Sequence, residues 1–175
     1  ELLIATRNPG KLREFAAIFA GLGLRLRTLD ELGIPDEIAE TGETFVANAV
    51  LKAEGYAALS GLPALADDSG LEVAALNGAP GVRSARYGGV KGEAQLRYLL
   101  DQLKDVPWHA RLARFVCVIA LARPGFPTET VEGTLPGVIE FEPRGTGGFG
   151  YDPLFYLLEE NCTLAELPAA RKNQI

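Results

Sequence analysis

The sequence predicts an α/β fold with a mixed sheet. Three observations predict it. Short apolar runs such as Leu2–Ala5, Leu62–Ala66 and Phe115–Leu121 have strand length rather than helix length. Segments with apolar residues at helical spacing separate the early runs, as with Leu12, Phe15, Ile18 and Phe19. Strands and helices alternate at first, but strands dominate later, which argues against a purely doubly wound sheet.

Taken in order, Leu2-Leu3-Ile4-Ala5 is a first strand, followed by the polar loop Thr6-Arg7-Asn8-Pro9-Gly10-Lys11. Asn8 suits an N-cap and Pro9 the first helical position, so a helix follows, closed by Gly21 to Gly23. Residues 24–29 alternate apolar and basic, as a half-exposed strand does. Residues 30–43 are acidic and loop-like, and Thr41 or Glu43-Thr44 opens a helix over 45–59. Gly61 and Pro63 stop it. The apolar run 62–66 then reads as a buried strand that ends by delivering Asp67 and Asp68 to the sheet edge. After a turn at Gly78-Ala79-Pro80-Gly81, an amphipathic helix is expected over 93–104, with Leu96, Leu99, Leu100 and Leu103 on one face. Residues 111–122 form the most apolar strand, and 128–142 read as a strand pair interrupted by Pro136-Gly137. A glycine-rich loop over 145–153, a strand over 154–157 and a short helix capped near Thr163 complete the chain.

The chain has 175 residues, 47% hydrophobic and 23% charged, which suits one domain over 1–175 with a real core. A net charge of −6 disfavours a nucleic acid polymer as partner. No apolar run is long enough to span a membrane. Cys117 and Cys162 lack metal-ligand spacing and are expected to be buried thiols in a reducing compartment, with the cytoplasm as the default. Residue 1 is Glu rather than Met, so the chain is expected to have begun further upstream.

Four features carry candidate chemistry. Thr6 to Lys11 opens a helix, whose N-terminal amides favour an anion; the spacing is not that of a P-loop, and Asn8 also serves as a plain cap. Glu40, Asp67 and Asp68 form an acidic set that fits Mg²⁺ with a phosphate substrate, or else a solvated loop and structural caps. Adjacent carboxylates repel, so burying Asp67 and Asp68 costs several kcal/mol unless a cation or shared proton answers them. Lys52, Arg83, Arg86 and Lys172 are basic groups that either pair with these acids, meet phosphate, or lie on the surface. The run Gly147-Gly148-Phe149-Gly150-Tyr151-Asp152-Pro153 fits a loop around a flat ring, with Asp152 able to read a base edge, or a tight turn with a packed Phe. The single histidine, His109, follows Pro107-Trp108 in an apparent loop, so no Ser/His/Asp or Cys/His apparatus is in sight. A hydrolase built on these residues uses carboxylate and metal chemistry with water as nucleophile.

Together these segments resemble the inosine triphosphate pyrophosphatase family. The matching pieces are Thr6-x-Asn8-x-x-Lys11, Glu40-Thr41-Gly42-x-Thr44-Phe45-x-x-Asn48-Ala49-x-x-Lys52-Ala53 and Ala66-Asp67-Asp68-Ser69-Gly70-Leu71. They continue with Gly78-Ala79-Pro80-Gly81-Val82-x-Ser84-Ala85-Arg86-Tyr87 and Gly147-Gly148-Phe149-Gly150-Tyr151-Asp152-Pro153-x-Phe155. Five motifs in order over nearly the whole chain make the match specific, whereas any one alone does not.

The resemblance implies an elongated, two-lobed α/β fold around a long mixed sheet with the active site in a central cleft. It implies a Mg²⁺-dependent homodimeric enzyme that cleaves the non-canonical purine nucleotides ITP, dITP and XTP to monophosphate and pyrophosphate. Carried across, Asp68 is the general base, and Glu40 and Asp68 are the Mg²⁺ carboxylates with Asp67 as close support. Thr6, Arg7, Asn8, Pro9, Gly10 and Lys11 resemble the phosphate loop. Lys52, Ser69 and Arg86 resemble substrate contacts, and Phe149, Gly150, Tyr151 and Asp152 the base pocket. Lys172 matches a lysine that the family follows with Ser-His-Arg, a motif that helps read the purine 6-oxo group. The sequence ends at Ile175, where that motif is expected next, so a mobile tail beyond it is expected. Two rival readings are a Maf-like pyrophosphatase, which would lack the Gly-Phe-Gly-Tyr-Asp run, and a nucleotide sensor, which would need no general base.

Overall fold

The computed structural model describes residues 1–175. Seven strands form one mixed sheet: β1 (Leu2–Ile4), β2 (Leu26–Thr28), β3 (Ala64–Val73), β4 (Leu112–Ala122), β5 (Glu129–Ile139), β6 (Phe155–Leu157) and β7 (Cys162–Thr163). Their order is β2-β1-β3-β4-β5-β6-β7. The chain divides into two compact units, Glu1–Asp68 with Cys117–Gly133, and Ser69–Val116 with Thr134–Ile175.

In the first unit β1 lies between β2 and β3 and runs parallel to both, with Leu3 opposite Arg27 and Ala64. Parallel neighbours require crossovers. Helices α1 (Pro9–Ile18) and α2 (Phe45–Ser60) supply them. Alternate strand residues face opposite sides of a sheet. Leu2, Ile4 and Leu65 pack with Phe15 of α1, backed by Leu12 and Phe19. Burying an aromatic or Leu side chain of this kind contributes ~1.5–3 kcal/mol. The interleaved positions Leu3, Ala5, Ala64 and Ala66 are just as buried. Helix α2 is held at both ends: the Thr44 hydroxyl accepts from Ala47 N–H at 3.1 Å, and Gly61, at φ 71°, donates to Ala57.

In the second unit β5, β6 and β7 are antiparallel, pairing Val138 with Tyr156 and Leu157 with Cys162. Helix α3 (Glu93–Gln102) buries Leu96 and Leu99 in a core with Leu71, Val73, Leu154 and Phe155. The Phe115 and Phe155 rings lie 4.6 Å apart. Thr163 caps a 3-10 turn, Leu164–Glu166, through a capping box with Glu166, and α4 (Ala169–Lys172) follows.

Three expectations change. The strand after α2 does not end at the aspartates but runs to Val73, so Asp67 and Asp68 sit inside β3. The polar pair is carried because each carboxylate finds cationic or amide partners, which keeps the ladder intact. Residues 128–142 hold one strand, not two. Pro136 lies outside the β5–β6 register, which starts at Val138, and a Cβ at Gly137 would come within 2.5 Å of the Phe155 ring. Glycine there leaves room for that ring against the strand. Cys117 and Cys162 are half-buried, not buried.

Candidate active site

The first cluster belongs wholly to the first unit and begins at β3. The strand pleat turns the neighbouring aspartates to opposite faces. Asp67 shares the side of Leu65 and α1, where Lys11 Nζ meets its Oδ2 at 2.5 Å. Asp68 shares the side of Ala64 and Ala66, where α2 brings Lys52 and Asn48. The side-by-side pair of the sequence is therefore answered by two different lysines.

Around Asp68 the contacts are specific. Lys52 Nζ donates to Glu40 Oε1 at 2.7 Å and to Asp68 Oδ1 at 3.4 Å. Asn48 Nδ2 donates to Asp68 Oδ2 at 3.2 Å. Burial raises the proton affinity of Asp68 above the ordinary carboxylate, Lys52 and Asn48 oppose that, and the Glu40 charge adds to it. Burial alone would lower the Lys52 ammonium, yet its Glu40 hydrogen bond and the charges of Asp68, Glu40 and Asp67 hold it above its usual value. The two shifts agree once the distances are compared: Lys52 leans on Glu40, which leaves Asp68 with the longer contact, so burial prevails there.

Glu40 is half-buried on a loop whose other acidic residues are exposed, and that loop is held in place. Residues 30–43 are fastened along their length. Arg7 donates to Asp30 Oδ1 at 3.0 Å and to the carbonyls of Ile34 at 2.5 Å and Asp36 at 3.4 Å. Tyr56 OH donates to the Asp36 carbonyl at 3.2 Å, and a Cβ at Gly55 would meet Ile38 at 2.7 Å, so that glycine lets the loop lie on α2. Gly42 N–H donates to Asn48 Oδ1 at 2.8 Å.

The Thr6 to Lys11 loop differs from the amide cradle expected of it. Asn8 Oδ1 accepts from both Gly10 N–H at 2.8 Å and Lys11 N–H at 3.3 Å, Pro9 has no N–H, and Thr6 Oγ1 accepts from Asn8 N–H. The cap thus uses the first-turn amides. The cationic groups of the loop are also engaged, the Lys11 ammonium by Asp67 and the Arg7 guanidinium by the 30–36 loop, so an anion here would share Lys11 with Asp67.

The second cluster belongs to the second unit. Asp152 is 3% exposed, and its Oδ2 accepts from Phe149 N–H at 2.8 Å and Lys172 Nζ at 2.6 Å. Lys172 Nζ also sits 4.4 Å from the Phe149 ring centroid. A Cβ at Gly148, whose φ is +68°, would fall 1.9 Å from that same oxygen, so only glycine fits. Asp152 therefore faces its own loop and Lys172 rather than offering this oxygen outward. Gly150, at φ 59°, leads into Tyr151, whose buried hydroxyl donates to the Ser84 carbonyl at 3.0 Å. Burial, with the neighbouring Tyr87, pushes the Tyr151 phenol far above its ordinary value, so it is a fixed donor. Gln95 donates to the same carbonyl at 2.7 Å, while Ser84 Oγ accepts from Leu71 N–H and donates to the Gly81 carbonyl. This hub fixes the segment Gly81–Gly89, which carries the exposed Arg86. Ser69 lies half-buried at the first residue of this unit, next to Asp68 in sequence.

The structure therefore gathers Glu40, Lys52 and Asp68 in one place, Lys11 with Asp67 in another, and Phe149, Asp152 and Lys172 in a third. Asn48, Ser84 and Gln95 are further polar residues that the sequence reading did not assign. Asn48 had a signal: it precedes Lys52 by one helical turn on an otherwise apolar face. His109 is exposed on a 3-10 turn. No group of three or more His, Cys, Asp or Glu residues is arranged as a metal site. The oxygen donors of Glu40 and Asp68 nevertheless fit Mg²⁺, which takes one or two carboxylates and completes its shell with phosphate and water.

Comparison with known proteins agrees with the motifs. The Ham1 family model matches residues 2–175. A dITP/XTP pyrophosphatase of Geobacillus kaustophilus is 52% identical over 100% of this chain and 87% of its own length. One from Geobacter sulfurreducens is 53% identical over 99% and 88%. Among solved structures, a HAM1 protein from Coxiella burnetii superposes with a TM-score of 0.89 at 43% identity, covering 99% of this chain and 90% of that one. With one family model over nearly its whole length and relatives at about half identity, the chain belongs to the Ham1 family.

Proposed function

We propose that the chain hydrolyses deaminated purine nucleoside triphosphates, ITP, dITP and XTP, to the monophosphate and pyrophosphate, and so cleanses the nucleotide pool. The observation that carries the reading is the buried Asp68, held by Lys52 and Asn48 beside Glu40. The names of relatives about 50% identical support the same substrate class.

Asp68 accepts a proton from the attacking water. Its raised proton affinity suits that role, because a base works best when its pKa approaches the working pH. Glu40 and Asp68 are the residues that would hold Mg²⁺, with Asp67 one residue away on the opposite face. A bound Mg²⁺ supplies charge neutralisation at the phosphates. Lys52 and Lys11 bring positive charge to an otherwise acidic protein, as a triphosphate requires. Thr6 to Lys11 serves the phosphates through Lys11 and the Asn8-capped turn, with Ser69 and Arg86 as further substrate contacts. Phe149 offers a ring face to the base. Lys172 has only donors, so it favours a 6-oxo acceptor over a 6-amino group. Residues 1–175 act as one pyrophosphatase domain in a cytoplasmic homodimer; no helix is long and apolar enough to cross a membrane.

The test is pyrophosphate release from ITP, dITP, XTP, ATP and GTP with and without Mg²⁺. Release from the deaminated purines only, and only with Mg²⁺, is expected. No release from any of them refutes the enzyme reading, and equal rates with ATP and ITP refute the cleansing role.

A further inference from the structure

We infer that Asn48 is the positioning residue for Asp68, and that Gly42 is the contact through which the Glu40 loop sets Asn48. The inference rests on the reading of Asp68 as the base.

Asn48 is 0% exposed and lies in the first turn of α2. A buried amide is costly unless both ends are satisfied. Here both are, and by different elements: Oδ1 accepts from Gly42 N–H at 2.8 Å, and Nδ2 donates to Asp68 Oδ2 at 3.2 Å. The amide has only one workable orientation, because a flip would set its NH₂ against the Gly42 N–H and its oxygen against the carboxylate. The Asp68 carboxylate is thereby pinned at both oxygens, Oδ1 by Lys52 and Oδ2 by Asn48. The two pins differ in kind. Lys52 is shared with Glu40 and carries charge, whereas Asn48 holds the carboxylate without neutralising it.

Gly42 supplies an independent observation. A Cβ there would come within 2.8 Å of Asn48 Oδ1 and 2.7 Å of Ala47 Cβ. Only glycine allows the loop backbone to reach the amide. The chain Gly42, Asn48, Asp68 therefore fixes the geometry of the base relative to the loop that carries Glu40, two residues before Gly42.

The experiment compares wild type, Asn48→Leu and Gly42→Ala. Leucine keeps the shape of asparagine and loses both hydrogen bonds; alanine keeps the amide and displaces it. Turnover of dITP with Mg²⁺ is measured beside calorimetric titration with an α,β-imido analogue of dITP, whose stoichiometry counts intact sites. For Asn48→Leu the expected result is full stoichiometry, affinity within about threefold, and kcat lowered about 10²-fold, the scale of a displaced catalytic group. For Gly42→Ala the same pattern is expected with kcat lowered about tenfold. A kcat within about twofold of wild type at full stoichiometry, in either variant, overturns the inference. Loss of stoichiometry in both variants also overturns it, by assigning Asn48 to the fold alone. If Asn48→Leu does not fold, Gly42→Ala decides. A wild type that releases no pyrophosphate from dITP overturns the functional reading instead.

Discussion

Replacing Lys52 by methionine removes one charge and keeps most of the side chain's length. In the native protein its side chain is 14% exposed, and its ammonium lies 2.7 Å from Glu40 and 3.4 Å from Asp68. At an effective dielectric of about 20 these contacts are worth ~6 and ~5 kcal/mol before desolvation. Burying an ammonium and two carboxylates takes back several kcal/mol per ion. What decides the variant is the state left behind. Two carboxylates remain without their shared cation, a loss of ~3–5 kcal/mol in a fully buried pair. Here Glu40 is 29% exposed, and Asp68 already binds its proton more tightly than usual, so solvent and proton uptake relieve part of it. A net loss of about 2 kcal/mol is expected, which lowers Tm by about 4–8 °C in a domain of this size. The assay is thermal unfolding of both proteins at pH 8 and at pH 4.5. The Lys52 pKa is raised, so its stabilisation is fully present below the usual lysine value near 10.5 and is lost only above it. The gap between the proteins therefore narrows on the acid side because of the partner carboxylate, as Asp68, whose pKa is raised by burial, takes up its proton. An unchanged Tm at pH 8, or a gap that widens at pH 4.5, refutes the shared-cation account.

Asp68→Asn is expected to abolish pyrophosphate release while leaving ITP binding, by calorimetry, largely intact. Because burial raises the Asp68 pKa, its ionisation costs the fold nothing below the ordinary value of 3.8 and its full cost above the folded pKa. The variant therefore melts no lower than wild type at pH 8, and any gain vanishes toward pH 4; a lower Tm at pH 8 contradicts this. Lys172→Met removes the donor held by Asp152 over Phe149, and is expected to cut the ITP-to-ATP ratio of kcat/KM by about tenfold or more. An unchanged ratio removes Lys172 from base reading. Ser84→Ala leaves the Leu71 N–H without its acceptor inside the second unit, an expected loss of ~1–3 kcal/mol in chemical denaturation. A loss below about 0.5 kcal/mol shows that this hub does not hold the segment bearing Arg86.

Much of this protein was legible in its sequence. Periodicity placed α1 and α2, and cap chemistry placed the start of α1 at Asn8 and the end of α2 at Gly61, because these are local signals; the structure chose Thr44 over Thr41 as the cap of α2 and ended α1 at Ile18, before the Gly21 to Gly23 run. The motif order identified the family, and the residue types pointed to carboxylates as the groups available for hydrolysis. Tertiary structure decided the rest. Spacing treats Asp67 and Asp68 alike, and only the pleat of β3 separates them, one toward Lys11 and the other toward Lys52 and Asn48. The fate of Glu40 was equally hidden: its loop is largely exposed, and only the contacts of Arg7, Tyr56 and Asn48 show that it is fastened with Glu40 against Lys52. Pro136-Gly137 looked like a strand break because its tolerance depends on where the pairing with β6 begins. Which charges meet is set by contacts between residues far apart in the chain. A single sequence records the groups that must be answered, but not which partner answers each one.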